Sequence, residues 1–395
     1  MNILVINAGS SSIKFKVIAM PDKTVICSGK VERIGSDLAI LIFNHKRATL
    51  RKHEVPKTHK DALQRISDIL LDPREGVIKT HGNIDAVGHR VVHSGALSIG
   101  TSTITKDIKK RIEDFSPLAP LHNPNNLEGI LMAEQLFPMA MQVAVFDTTF
   151  HRTIPLKARK YAIPNEFYTK YGIQVYGFHG ISHKYVSEKA IAHLQLKKSK
   201  VVSVHLGNGC SMTAVVNGKS VDHSLGFTPS NGLIMGSRSG DIDHSIIFHL
   251  VHTLGYASEE VKRLLNQESG MFGLTGFRDL RDIEACARKG NKACLLALEM
   301  NAYRIKKYIG AYTAVMNGLD AIVFTAGVGE NSTVLRKLVC TDMEHLGLHL
   351  NPESNEIQSD CLREINSSTS KVKILVIPTN EELEIAHQVF KLLGT

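Results

Sequence analysis

Tryptophan is absent from the 395 residues, and aromatic side chains together make up only 6%. The stacking platforms on which a single-stranded nucleic-acid binder lays its bases are therefore scarce. Missing too is any uninterrupted apolar run near the roughly 18 residues that a membrane span requires, which predicts no membrane partner. The six cysteines, Cys27, Cys210, Cys286, Cys294, Cys340 and Cys361, include no close pair of the kind that holds zinc. Their scatter predicts reduced thiols in a cytoplasmic protein. Met1 to Asn7 carries no basic leader and is followed by no small-residue cleavage site, so it reads as a strand rather than an export signal. No low-complexity linker marks a domain boundary.

What the chain does have is a cationic excess, 47 lysines and arginines against 38 acids, for a net charge of +9. Such an excess attracts anions in general. The charges are dispersed rather than gathered into a stripe, which points to a phosphate-bearing small molecule and away from nucleic acid. The length suggests two or three domains, two being the simplest division.

A repeated grammar runs through the chain. Asn2–Asn7, the turn Ala8-Gly9-Ser10-Ser11-Ser12 and the alternating run Ile13–Ile18 read as strand, glycine-serine loop, strand. The same order returns at Val201–His205, Leu206–Ser211 and Met212–Val216, followed by the turn Asn217-Gly218-Lys219 and a strand from Ser220. Two similarly folded halves are expected, each presenting a glycine-rich hairpin loop. Helices are predicted over 126–136, 182–194, 292–315 and 383–393. Buried strands are predicted over 84–87, 142–146, 321–325 and 373–377. The boundary is placed after Asp147, with the last helix returning to the first half.

Five clusters at the ends of these strands suit anions or metals. Asn7–Lys14 combines a close-approach backbone, hydroxyls and a charge; His205–Ser211 duplicates it. Thr325-Ala326-Gly327-Val328-Gly329-Glu330-Asn331 leads from a strand into a helix start, where free amides attract phosphate. Gly88–His93 and Met235–Asp243 each set an arginine, Arg90 and Arg238, among small or aliphatic neighbours, a setting for gripping a carboxylate or a phosphoryl group. Asp147 and Glu381 stand where a carboxylate can anchor Mg²⁺. Gly218-Lys219-Ser220 is not a Walker loop, because Thr213 occupies the position where that loop needs its first glycine. His249-Leu250-Val251-His252 lacks the glutamate of a zinc-protease helix.

Taken in order, these strings resemble the acetate kinases. The matching runs are Asn-Ala-Gly-Ser-Ser-Ser-Ile-Lys at 7–14, Gly-His-Arg-Val-Val-His at 88–93, Leu-Ala-Pro-Leu-His-Asn-Pro at 118–124 and Phe-Asp-Thr at 146–148. They continue with Gly-Phe-His-Gly at 177–180, His-Leu-Gly-Asn-Gly at 205–209, Gly-Ser-Arg-Ser-Gly-Asp at 236–241, Gly-Val-Gly-Glu-Asn at 327–331 and Pro-Thr-Asn-Glu-Glu at 378–382. The resemblance implies an α/β fold of two duplicated actin-like (ribonuclease H-like) ATPase domains around a central active-site cleft. The domains expected are 1–147 plus 382–395, and 148–381. It also implies a homodimer that exchanges a phosphoryl group between ATP/ADP and acetate/acetyl phosphate.

By the same resemblance, Asn7 and Glu381 hold Mg²⁺, with Mn²⁺ as a substitute. Nucleotide binding falls to Ser10, Ser12, Lys14, His205, Leu206, Gly207, Asn208, Gly209, Asp279, Leu280, Arg281, Gly327, Val328, Gly329, Glu330 and Asn331. Arg90, Asp147, His179 and Arg238 are the implied catalytic set, and Val92, Leu121, Phe178 and Pro229 join Arg90 around the acid. A carboxylic acid with a pKa of about 4 is already ionised at neutral pH, so Asp147 is expected to orient an arginine or the metal's waters rather than remove a proton. Ser94, Ile181, Ser230-Asn231, Ser237 and His244 depart from the family's usual residues, and none of them removes a charged group. Ser94 and Ser230 flank the acid pocket and bear on which acid is taken. Alternatives are a propionate kinase on this scaffold, an ATP-driven binding module of the actin or Hsp70 type, and a nucleic-acid binder. A further alternative in mechanism is a covalent phosphoryl intermediate on Glu381 or another carboxylate.

Overall fold

Alternating apolar and polar residues at both repeats should make hairpins, and in a computed structural model they do. The structure describes residues 1–9, 11–45, 48–53, 56–93, 95, 100–119 and 122–394. Ser10, Leu121 and Ser94, named above, lie outside them. The chain forms two compact units, one of Met1–Thr149 with Asn380–Thr395 and the other of Phe150–Thr379.

The first unit is built on an eight-stranded sheet. Its strands are β1 (Asn2–Ala8), β2 (Ser12–Ala19), β3 (Thr24–Glu32), β4 (Ile40–His45), β5 (Ala48–His53), β6 (Ala86–Val91), β7 (Ser102–Thr103) and β8 (Met141–Phe146). They are ordered β5-β4-β3-β2-β1-β6-β8-β7. The second unit carries a six-stranded sheet of β9 (Lys200–Leu206), β10 (Cys210–Val216), β11 (Lys219–His223), β12 (Ala321–Thr325), β13 (Arg363–Glu364) and β14 (Lys373–Val376), ordered β11-β10-β9-β12-β14-β13. Both sheets share one plan: three antiparallel strands, with the first strand also parallel to a fourth and the fourth to a fifth. The duplication read from the two loops thus extends to strand order and direction.

The expected strand at 84–87 is corrected to β6. Ile84 instead ends a short 3₁₀ turn, His81–Asn83. Parallel pairing with β1 and β8 then carries the strand through Arg90, which lies opposite Val145. The helix Glu381–Leu393 packs on β1 and β6. Gly88 makes this close approach possible: a Cβ there would sit 2.9 Å from methyl groups of both Ile385 and Val389. The carboxyl ends of β1, β6 and β8 therefore deliver Asn7, Arg90 and Asp147, and the helix start adds Glu381.

In the second unit, β9 and β10 pair Ser203 with Thr213 and His205 with Ser211. Cross-strand partners share a face. The same face bears Val201 and Val215, which pack on Val186 and Ala190 of the helix Gly180–His193. One end of this helix–sheet interface is therefore aliphatic and the other is a buried polar network.

Candidate active site

In the first unit, Arg90 is the centre of a carboxylate cluster. Its Nη2 donates to Asp147 Oδ2 at 2.9 Å, and its Nε lies 3.7 Å from Glu381 Oε2, beyond hydrogen-bond range. That Nε is buried without a hydrogen-bond partner among the described residues. Exposure of the three side chains is 15%, 1% and 18% for Arg90, Asp147 and Glu381. Burial alone would lower the Arg90 pKa, yet the charges of Asp147 and Glu381 outweigh it and hold the guanidinium above its ordinary value. Burial pushes the Glu381 carboxyl up to about 7, with Asp147 and Glu382 adding to the rise and Arg90 and Lys14 opposing it.

Glu382 points elsewhere, to Lys16 Nζ at 3.1 Å. Asn7 is half-buried at the end of β1, opposite the exposed Lys14 on β2, and Ser12 opens β2. Val92 is buried, its N–H donating to Asn126 Oδ1 at 3.2 Å.

This donor set fits a magnesium ion. Among the described residues no three His, Cys, Asp or Glu side chains gather in a metal-binding cluster. Mg²⁺ is commonly held by only one or two carboxylates together with waters and substrate phosphates. Burial first, and then the charges of Asp147 and Glu382, raise the Glu381 pKa, and a bound divalent cation would offset that penalty on the carboxylate.

In the second unit, His179 and Arg238 converge on Gly209. A Cβ built there would lie 3.4 Å from the His179 ring and 3.9 Å from Arg238 Nη1. His179 caps the helix Gly180–His193 in the left-handed region, at φ 54°. Its Nδ1 lies 2.9 Å from Ser211 Oγ, and its ring stacks on His205 at 4.3 Å between centroids. Arg238 Nη1 donates to the Pro229 carbonyl at 2.8 Å, and burial lowers the Arg238 pKa. Phe178 is buried, with its backbone N–H donating to His223 Nε2 and its carbonyl accepting from His151 Nε2.

Beside them lies a cavity of about 680 Å³, a nucleotide-sized volume. Leu206, Gly207, Asn208, Asp279, Leu280, Arg281, Gly327, Val328 and Asn331 line it, so three of the sequence clusters meet here. Ser12 and Lys14 belong to the first unit. Gly329 and Glu330 do not line the cavity. Gly329 is buried, and the Glu330 carboxylate accepts from the Thr379 N–H at 3.0 Å. Arg281 is turned outward and clasped to Asp279, whose pKa it lowers to about 2.

The sequence reading missed the apolar wall of the cavity, Ile234, Met271, Ile283 and Leu335, together with Glu284 and Asn301. It also missed Arg336, whose buried guanidinium holds the carbonyls of Gly329 and Glu330 and so fixes the turn that bears Gly327. Nothing local distinguishes these side chains from ordinary core residues. The strand-to-helix turn itself is strained, since Ala326 sits at φ 64°, a cost of order 1 kcal/mol outside glycine.

Comparison with known proteins bears on what this geometry serves. The profile of the Acetokinase family matches residues 2–387. The chain belongs to the acetokinase family. It is 57% identical to the acetate kinase of Flavobacterium johnsoniae across the whole of both chains. The crystal structure of Porphyromonas gingivalis acetate kinase superposes with a TM-score of 0.92 at 42% identity, covering 99% of each chain. A propionate kinase from Francisella tularensis superposes with a TM-score of 0.91 at 41% identity, covering 98% of each. Proteins named for two different acids, acetate and propionate, thus superpose on this one scaffold.

Proposed function

We propose that this chain is an acetate kinase, transferring the γ-phosphoryl group of ATP reversibly and directly to acetate to give acetyl phosphate and ADP. The observation that carries the reading is 57% identity to an acetate kinase over the full length of both proteins. In this reading the 680 Å³ cavity takes the adenosine against Ile234, Met271, Ile283 and Leu335, and the loop Gly207–Asn208 with Gly327 takes the phosphates. Arg90 grips the acid with its Nε edge, which has no hydrogen-bond partner among the described residues, and Asp147 keeps that fork aimed. His179 and Arg238 donate to the oxygens of the phosphoryl group as charge spreads over them.

Asn7 and Glu381 would hold Mg²⁺, which when bound neutralises phosphate charge. No residue needs to act as a base, because the acid arrives ionised. Of the residues that the resemblance assigns to the acid, Val92 belongs to the first unit and Phe178 and Pro229 to the second. A cytoplasmic homodimer completes the proposal. In its support, the helix Ser245–His252 buries none of its residues and exposes Ile246, Ile247 and Phe248, a patch suited to a second copy.

The test is stoichiometry. ADP released from ATP should require acetate and should match acyl hydroxamate trapped from the product one for one. ATP hydrolysis that ignores acetate would instead mark an ATP-driven binding module.

A further inference from the structure

Five imidazoles, those of His151, His179, His183, His205 and His223, meet in the second unit with neighbouring ring centroids 4.1 to 5.9 Å apart. Of these, only His179 enters the function proposed above. His151, His183 and His223 are buried, and burial followed by the neighbouring imidazoles pushes the pKa of His183 and His223 well below 6.5. These two rings are neutral near pH 7. Each then carries one ring proton, and its position follows from its partners.

Two backbone groups settle the outer rings. His223 Nε2 accepts from the Phe178 N–H at 3.0 Å, so its proton is on Nδ1 and points to Thr213 Oγ1 at 2.8 Å. His151 Nε2 lies 3.0 Å from the Phe178 carbonyl, which only accepts, so Nε2 bears a proton and Nδ1 faces Ser220 Oγ at 2.9 Å.

The inner chain follows from the hydroxyls. Ser203 is fully buried, and the one side-chain partner of its Oγ among the described residues is His183 Nδ1, at 2.8 Å. A buried hydroxyl proton left unpaired costs more than an unfilled lone pair, so Ser203 donates to His183 Nδ1. The His183 proton is then on Nε2, which donates to Ser211 Oγ at 2.7 Å. Ser211 has one proton and has already accepted from His183, so it donates onward to His179 Nδ1 at 2.9 Å.

We infer that the buried relay Ser203–His183–Ser211 fixes His179 as the tautomer protonated at Nε2, so that His179 offers a hydrogen-bond donor to the phosphoryl group while remaining neutral. Ser203, His183 and Ser211 are thus positioning residues that act through His179. The inference rests on His179 facing the phosphoryl group, as proposed above. Its physical content is directional. Reversing the relay would put the proton on Nδ1 and leave a bare nitrogen, an acceptor, opposite phosphate oxygens that are themselves acceptors. No proton moves along the relay; it acts by orientation alone.

The experiment is two-bond ¹H–¹⁵N correlation NMR of the full-length protein labelled with ¹⁵N-histidine near pH 7, with resonances assigned from single His→Gln variants. The expected spectra show His151, His179 and His183 protonated at Nε2 and His223 protonated at Nδ1. His179 protonated at Nδ1, or carrying both protons, overturns the inference.

Ser203→Ala removes the first donor of the relay without touching His179. It should convert His179 to a mixture of tautomers and lower kcat about threefold to tenfold, with both KM values held within about twofold. A Ser203→Ala protein with an unchanged His179 spectrum and unchanged kcat overturns it too. The reading beneath fails separately: His179→Gln with full turnover would remove His179 from the chemistry whatever its tautomer.

Discussion

Arg90 shows how a single side chain can be tuned by the groups around it. Asp147 spends its charge on one edge of the guanidinium, and Glu381 stands too far to hydrogen-bond the other. A fork held in this way is aimed before any ligand arrives, which is the condition for strong stabilisation of a migrating charge. Arg90→Ala should therefore lower kcat by at least about a hundredfold. Arg90→Lys keeps the charge and loses the planar fork, and should fall in between, about tenfold below the parent enzyme. Steady-state kinetics with circular dichroism as a folding control separates this from collapse, because alanine removes the guanidinium that pairs with the buried Asp147. Lysine and alanine variants with equal, near-normal turnover would deny Arg90 its role.

Among elements, the terminal helix matters most, since it carries Glu381 to 3.7 Å from Arg90, which stands two residues along β6 from Gly88. Gly88 sets how closely the two approach. Gly88→Ala should cost about 1–3 kcal/mol by overpacking and should raise the Mg²⁺ concentration for half-maximal rate as the helix start shifts. Thermal unfolding and a magnesium titration read the two effects, and a variant unchanged in both would show that this contact does not position Glu381.

Element by element, legibility in the sequence followed the range of the forces. The two hairpins were readable because period-2 alternation and a glycine loop are local signals, and the helices at 182–194, 292–315 and 383–393 differ from those observed by one or two residues at their ends. The extent of β6 was not readable, because it depends on parallel pairing with strands about 80 residues before it and 50 after. The cavity wall formed by Ile234, Met271, Ile283 and Leu335, and the anchor Arg336, are ordinary residues made special only by assembly. The histidine relay was equally hidden, since His179, His183, Ser203 and Ser211 form no motif until β9 and β10 pair beneath a helix.

At the scale of the whole molecule, buried neutral histidines tie stability to pH. Burial lowers the pKa of both His89 and His93 to about 4, and burial with neighbouring imidazoles pushes His183 and His223 well below 6.5 as well. Below pH 6.5 the unfolded chain takes up protons that the folded chain refuses. Stability is therefore complete above 6.5 and is lost progressively as the pH falls toward 4. His89 alone, at 1.36 kcal/mol per pH unit, accounts for about 3 kcal/mol across that window. The urea midpoint should fall steeply between about pH 7 and about pH 5, and the slope should flatten in His89→Gln, whose amide does not titrate. A midpoint flat over that range would contradict the buried neutral assignment.

All six cysteines are free thiols, and burial pushes Cys27, Cys210 and Cys340 up to about 12, so reductants should leave the midpoint unchanged.

The account turns on which acid receives the phosphoryl group, and the most direct test is kcat/KM for acyl phosphate formation from ATP and Mg²⁺ with formate, acetate, propionate and butyrate. Acetate should be the best substrate, with propionate lower by about tenfold or more, since one misplaced methylene is worth about 1–3 kcal/mol. Propionate equal to or better than acetate, or no acyl phosphate from any of the four, would contradict it.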